Sequence, residues 1–391
     1  MVKNVTDTVR YIGVDDMDID LFESQYAVPD GISYNSYLIE DDQLAVMDTV
    51  DARGTEAWLK NLEEALAGRS PDYLVVLHME PDHSGSLQIL ADRYPQMKLV
   101  GNAKTFAMMG QFFDMDLTDR MVVVKEGDSL SLGTHTLTFV MAPMVHWPEV
   151  MVAYDQKDRL LFSADGFGKF GGLKDDLFGV QNWDDEARRY YINIVGKYGV
   201  QVQALLKKAA ALDIAMICPL HGPVLRGDLS RYLEKYQIWS SYAPEEDGVL
   251  IACASIHGNT MRAARKLADI LREKGAAKVV VADLARDDMA AAVSDAFRFD
   301  KLVLAGATYN AEVFPCMQAF LSHLKGKNYQ NRAVGIMENG TWAPMAAKVM
   351  RAAVEGMKGI RLCEQMVSLK SAMKQTDLPA MGALAEELLQ K

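Results

Sequence analysis

Cysteine is scarce and never paired in this chain: Cys218, Cys253, Cys316 and Cys363 are the only four in 391 residues, and no Cys-x-x-Cys occurs. The spacing excludes a zinc ribbon or a rubredoxin module inside the chain and offers no disulfide framework, which leaves free thiols in a reducing compartment. Cys253 and Cys363 fall in apolar, strand-like runs, the setting of small core residues. Long apolar stretches are missing as well. The longest are strand-sized, and Met1-Val2-Lys3-Asn4-Val5-Thr6-Asp7 has no apolar signal core, so no membrane span or secreted leader is expected and the chain reads as cytoplasmic. A surplus of basic residues is absent: 41 Lys and Arg stand against 53 Asp and Glu, for a net charge of −12. That balance argues against nucleic acid and anionic membrane as partners. No Gly-x-Gly-x-x-Gly occurs in the second half of the chain, so a dinucleotide is not favoured there, and no repeat or low-complexity tract interrupts the chain.

What is present is an ordinary globular composition, 50% hydrophobic and 24% charged, in a chain longer than one hydrophobic core supports. Two domains are expected. Residues 1–69 alternate short apolar runs with turns, with Ser36–Glu40 and Leu44–Met47 reading as a hairpin and Thr55–Ala67 as a helix. From Tyr73 the order is strand, polar loop, helix, strand, helix and a second block of hairpins through Val140. An αβ/βα layered sandwich fits that order better than a single parallel sheet. The polar stretch Ser240–Gly248 carries Pro244 and Gly248 and the rhythm changes after it, so the junction is set between domains 1–247 and 248–391. In the second, strands at Val249–Ala254, Lys278–Ala282, Lys301–Gly306, Ala333–Met337 and Leu362–Val367 alternate with helices. This is the pattern of a doubly wound, five-stranded parallel sheet.

One hexapeptide stands out. His78-Met79-Glu80-Pro81-Asp82-His83 follows the apolar run Tyr73–Leu77 and opens into Ser84-Gly85. A solvated charged turn needs no histidine at each end. Alternate residues of a strand-end loop project to one side, so His78, Glu80 and Asp82 are expected to converge while His83 points to a neighbouring position, with room for two metals. Three further residues fit the same site, each where a strand stops: His146 after Leu137–Met141, Asp165 after the strand beginning at Leu160, and His221 after Ile214–Ile217. Singly each has a plain alternative, since Asp165-Gly166 is a common turn pair and His221-Gly222-Pro223 a common loop. Their joint placement is the evidence.

The order His-x-Glu-x-Asp-His, then His, Asp and His, resembles the metallo-β-lactamase-like domain of the flavodiiron proteins, also called A-type flavoproteins. Hydrolases on that fold typically carry His-x-His-x-Asp-His. Glu80 at the middle position makes the site harder and more anionic, which suits iron better than zinc. The resemblance implies two non-haem irons with an oxo or hydroxo bridge, one held by His78, Glu80 and His146, the other by Asp82, His83 and His221, with Asp165 bridging. No separate acid or base is assigned.

The second half resembles the flavodoxin-like domain of the same family. Between its first strand and a helix, Ser255-Ile256-His257-Gly258-Asn259-Thr260 offers hydroxyls, backbone N–H groups and a helix N-terminus to a phosphate. A plain helix cap by Asn259 or Thr260 is the alternative. Two further loops follow strands at the same edge, Ala307-Thr308-Tyr309-Asn310 and Asn339-Gly340-Thr341-Trp342. Tyr309 and Trp342 would supply flat apolar faces, and the Gly340 region backbone donors, for an isoalloxazine ring. These loops resemble the phosphate and ring loops of flavodoxins and imply FMN. His257, and Ala307 where the family commonly has Pro, depart from that pattern.

The resemblance implies an oxidoreductase in which an external donor, rubredoxin or reduced deazaflavin F420, sends electrons through FMN to the diiron site. O2 would become water, NO would become N2O, or both, detoxifying oxygen or nitric oxide in an anaerobe. With irons and FMN in separate domains, the family's arrangement is a head-to-tail homodimer, or a dimer of such dimers, setting one subunit's FMN against the other's irons. Two rivals stand beside this reading: a metal-dependent hydrolase with an accessory flavodoxin domain, and an electron carrier with a metal-free first domain. Glu80 and the flavin loops weigh against the first, and seven intact ligand positions against the second. Tyr26 and Tyr191 are either pocket donors or packed core tyrosines.

Overall fold

A computed structural model describes residues 2–390, which fall into two units. One runs to Tyr191 and resumes over Val200–Gln237; the other takes Ile192–Gly199 and the residues from Ile238 on.

Two sheets build the first unit. One runs Lys3–Asn4, Val9–Tyr11, Tyr37–Ile39, Ala45–Met47, Tyr73–Val75, Lys98–Gly101, Met121–Val123; the other runs Ser129–Ser131, Thr136–Met141, Met151–Asp155, Leu160–Phe162, Met216–Cys218, Leu225–Arg226. The expected hairpin is there, antiparallel, with Tyr37 opposite Met47. Its strands are buried throughout because apolar groups lie on both faces. The Tyr37 ring meets Phe162 of the other sheet edge-on at 5.4 Å. Helix Thr55–Leu66 turns Trp58, Leu62 and Leu66 inward, the four-residue spacing of an amphipathic stripe. Pairing directions bring the C-terminal ends of Thr136–Met141, Leu160–Phe162 and Met216–Cys218 to one edge of the second sheet. The loops leaving that edge carry His146, Asp165 and His221.

In the second unit Val279–Asp283, Glu246–Ala254, Phe299–Tyr309, Ala333–Asn339 and Arg361–Leu369 lie side by side, all parallel. A short strand, Glu312–Val313, folds back on Phe299–Tyr309. Placing the second strand outside the first reverses the winding between Glu246–Ala254 and Phe299–Tyr309, so the loops after them diverge and leave a crevice. Val249–Ala254 and Ala333–Asn339 are buried without interruption, as strands with both faces covered are. Helices Asn259–Glu273 and Leu378–Leu389 cover one face through Ala263, Leu267, Leu271, Leu384 and Leu388. All four cysteines are free, and only Cys316 is partly exposed. Among the described residues no helix is long and apolar enough to cross a membrane.

Candidate functional site

The hexapeptide changes conformation halfway along. Glu80 is extended, with φ −57° and ψ 140°, and Pro81 opens the short helix Pro81–Ser84. Proline suits a first helical position because its φ is already set and it has no N–H to satisfy. The alternation expected of a strand-end loop therefore stops at Glu80. Asp82 does not join His78 and Glu80 but sides with His83. The two resulting groups are His78, Glu80, His146 and Asp165, and Asp82, His83 and His221.

Asp165 faces both groups. Its Oδ2 lies 3.1 Å from His146 Nε2 and 3.5 Å from His78 Nε2, while Oδ1 lies 3.2 Å from His83 Nε2 and 3.9 Å from His221 Nε2. Glu80 Oε2 is 2.9 Å from His146 Nε2 and 3.3 Å from His78 Nε2. On the other side Asp82 Oδ2 is 3.3 Å from His83 Nε2 and 3.2 Å from His221 Nε2. Buried polar atoms normally have hydrogen-bond partners. Here His78 Nε2, His221 Nε2, both ring nitrogens of His83 and all four carboxyl oxygens of Asp82 and Asp165 have none. Cations between the groups would satisfy them, and a nitrogen-and-carboxylate set without thiolate suits iron.

The outer nitrogens fix the direction of the inner ones. His78 Nδ1 lies 2.8 Å from Glu149 Oε1, and His221 Nδ1 2.7 Å from the Ser33 carbonyl, so each Nε2 is turned inward. Without a cation the cluster holds protons instead. Burial opposes a charged His146, yet Asp165 and Glu80 overcome it and hold the imidazole up at about 9. Burial likewise works against an ionised Asp165, but His78 and His146 keep it well below the usual carboxylate range. Metal binding is therefore expected to release protons.

Glu149 escaped sequence reading, its only signal being a carboxylate three residues after His146. It is buried, and Oε1 also accepts from the Met79 N–H at 2.9 Å. Glu149→Gln keeps the shape and removes the charge that makes His78 a better ligand. It should lower metal affinity about 10- to 100-fold in a chelator competition, and an unchanged affinity would mean that other contacts orient His78.

Two tyrosines stand beside the site, Tyr34, whose ring is 5.9 Å from His221, and Tyr190. The Tyr190 ring is 5.4 Å from His221, and its buried hydroxyl has no hydrogen-bond partner. Tyr191 packs on Tyr236 at 5.1 Å and Tyr26 on Phe170 at 6.2 Å. Tyr190 ends helix Trp183–Tyr190 and Tyr191 begins the π turn Tyr191–Val195. A third convergence, His135, Asp155 and Asp158, is a clasp. His135 Nδ1 pairs with Asp155 at 3.0 Å and Nε2 with Thr8 at 2.9 Å, and the Lys157 ammonium at 3.1 Å fills the place a cation would take.

In the second unit the crevice is a cavity of about 610 Å³. Ser255, His257, Asn259, Thr260, Ala307, Thr308, Tyr309, Asn310, Asn339, Gly340, Thr341 and Trp342 line it, with Ile256, Ala311, Ala343 and Ser371, which sequence reading did not single out. Gly258 stands outside that lining. It occupies the cap of helix Asn259–Glu273 at φ +82°, a conformation favouring glycine, and its N–H donates to Ser255 Oγ at 3.1 Å. No side chain caps this helix, so its first N–H groups remain open to an anion. Ser371 reaches the cavity through Asn339, donating its N–H to Oδ1 at 3.0 Å and accepting from Nδ2 at 2.8 Å. Trp342 is 81% exposed and Tyr309, which packs edge-on with Phe314 at 5.6 Å, 44% exposed at the rim, flat rings fit for a planar ligand.

The model of the family described as ODP family beta lactamase matches residues 32–222, a span that includes all seven metal-competent residues. A rubredoxin-oxygen oxidoreductase from Megalodesulfovibrio gigas is 28% identical over 394 residues, covering 98% of this chain and 96% of that protein. An anaerobic nitric oxide reductase flavorubredoxin from Aliivibrio fischeri is 28% identical over 351 residues, 88% of this chain and 70% of the relative. Among solved structures, the rubredoxin oxygen:oxidoreductase from the anaerobe Desulfovibrio gigas superposes with a TM-score of 0.92 at 27% identity, over 99% of this chain and 98% of that one. The flavodiiron protein from Giardia intestinalis shares the fold, with a TM-score of 0.93 at 23% identity over 100% and 97% of the two chains. Sequence and fold agree from end to end rather than in one half only, so the chain is similar to the rubredoxin-oxygen oxidoreductase over its whole length.

Proposed function

We propose that the chain is an oxidoreductase that takes electrons from an external donor through FMN to a pair of non-haem irons and reduces O2 to water, NO to N2O, or both. The observation that carries this reading is Asp165, whose two oxygens face two separate ligand groups. His78, Glu80 and His146 would hold one iron, Asp82, His83 and His221 the other, and Asp165 both. Residues 1–247 would form the diiron domain and 248–391 the FMN domain, with Ser255–Thr260 at the phosphate and Tyr309 and Trp342 at the ring. When bound, FMN and the irons supply electron-storing capacity and open positions for a small oxidant.

The chain's own residues do the rest. Phe22 lies edge-on to His221 at 5.4 Å and to Phe170 at 5.7 Å, and with Tyr190 these rings exclude water on that side. Burial, with the Asp165 charge second, pushes the Tyr190 phenol well above its ordinary value, so its Oη keeps a proton beside the site. Both reductions consume protons. Glu149 and the Ser33 carbonyl hold the imidazoles of His78 and His221 in line.

The name of the Megalodesulfovibrio gigas relative points to rubredoxin as donor, and the deazaflavin is the alternative. A head-to-tail homodimer, alone or paired, would bring one copy's flavin cleft to the other's metal groups. The setting that fits is the cytoplasm of an anaerobe that removes oxygen or nitric oxide. Metal and flavin analysis, with O2 and NO consumption measured side by side on the reduced protein, tests the reading. Iron and FMN with turnover of at least one gas is the expected result. Zinc, ester or phosphodiester turnover and no gas consumption would replace it with the hydrolase.

A further inference from the structure

A pocket of about 470 Å³ opens beside the hairpin Leu21–Phe22/Tyr26–Ala27 and ends on Glu80 and Asp82. Its wall carries the carboxylates of Asp20, Glu23, Asp51, Glu80 and Asp82. Arg53 is the one cation among the described lining residues, and its guanidinium is committed to Asp16 at 2.6 Å. At the inner end Glu80 and Asp82 belong both to the pocket wall and to the two ligand groups; Asp82 is 8% exposed, and its Oδ2 faces His83 and His221 at 3.3 and 3.2 Å, so the pocket ends on the back of the metal-competent cluster.

At the outer end stands Glu23. It sits in the tight turn Glu23-Ser24, where both residues have positive φ, +49° and +57°, and the Gln25 N–H donates to the Phe22 carbonyl at 3.1 Å. Glycine or asparagine takes such a turn readily, and another side chain there costs about 1 kcal/mol. What that residue brings is a carboxylate over the mouth, which burial and the Glu80 charge push up to about 7, so that it is negative at mildly alkaline pH. Charge of one sign in a walled cleft focuses field lines and concentrates ions of opposite sign.

We propose that this pocket is the loading route of the metal centre, an acidic funnel with Glu23 at its mouth and Asp82 at its base that draws in divalent cations, repels ligating anions and leaves neutral diatomic molecules free to pass. The inference rests on reading Asp82 and its neighbours as metal ligands. It assigns Glu23 and Asp20 a role in specificity and uptake, without contact to the reacting atoms.

The test uses the full-length protein, stripped of metal by a chelator and mixed with Co²⁺ at about pH 8 and low salt, with uptake followed by visible absorption. Glu23→Gln and the pair Glu23→Gln/Asp20→Asn should slow uptake by about three- to tenfold in total, the gap closing in about 0.5 M NaCl. Azide should bind the loaded double variant more tightly than the loaded wild type. Glu355→Gln, an equal charge change in the other unit, should leave the uptake rate unchanged. Equal low-salt rates for wild type and double variant, each ending with two ions per chain, would overturn the funnel and leave the metal centre standing. A wild type that binds no pair of ions would overturn both.

Discussion

Asp165→Asn is expected to abolish gas reduction while FMN stays bound. Both ligand groups face this carboxylate, one oxygen toward His146 and His78, the other toward His83 and His221. Asparagine keeps the volume, but it removes the charge and turns one of the two facing atoms into an N–H donor, which no cation accepts as a ligand. Two divalent ions would then face only Glu80 and Asp82 as anions. Losing a charge-balancing ligand of this kind removes several kcal/mol, so turnover should fall by at least about 10³-fold and the metal content below two per chain. Elemental analysis and the flavin absorbance of the same sample read the outcome. Retained FMN separates a lost centre from a misfolded chain, and two ions with undiminished turnover would remove Asp165 from the bridging position.

The second large effect lies far from any ligand, at Arg332. This side chain is 2% exposed and has no carboxylate partner; its guanidinium donates to the carbonyls of Phe299 at 2.7 Å, Tyr242 at 2.8 Å, Gln330 at 3.0 Å, Asn331 at 3.2 Å, and Phe297. Burial lowers its pKa from the ordinary arginine value, opposed mainly by Tyr329, so the cation is held by carbonyl dipoles. Arg332→Met fills most of the space and leaves those carbonyls buried without a donor. Each orphaned acceptor costs about 1 kcal/mol or more, so the variant should lose about 3–5 kcal/mol of stability. Urea unfolding followed by flavin release reads this directly. A midpoint unchanged from wild type would mean that water replaces the guanidinium.

The metal-competent residues were legible because each lies in a short motif at the end of an apolar run, where local sequence alone marks the place. Their grouping was not. Pro81 converts an extended segment into a helix, and that turn sends Asp82 to the far group. Residues that reach a site from a distance left no such mark: Ser371 joins the flavin cavity only through its bonds to Asn339, and Ser33 reaches His221 across 188 positions of sequence. Tyr190 carried no local signal, since Tyr190 and Tyr191 are adjacent, both buried, and only their three-dimensional neighbours, His221 for one and Tyr236 for the other, tell them apart. In the second half the alternation of strands and helices carried the fold, since parallel strands covered on both faces must read as continuous apolar runs. Arg332 gave no signal at all, being one basic residue before a strand.

The chain's division has a consequence for the order in which the protein is made. Ile192–Gly199 is synthesised in the middle of the first unit yet belongs to the second. Three of its bonds are to residues made later: the Gly199 N–H donates to Tyr242 Oη at 3.1 Å, Asn193 Nδ2 to the Ala290 carbonyl at 3.1 Å, and Lys327 Nζ to the Asn193 carbonyl at 2.8 Å. On the ribosome these three bonds must therefore wait until Tyr242, Ala290 and Lys327 have emerged. A fragment beginning at residue 248 would lack it for good, so the flavin-binding half is contiguous in function but not in chain, and separate expression of it would need those eight residues supplied.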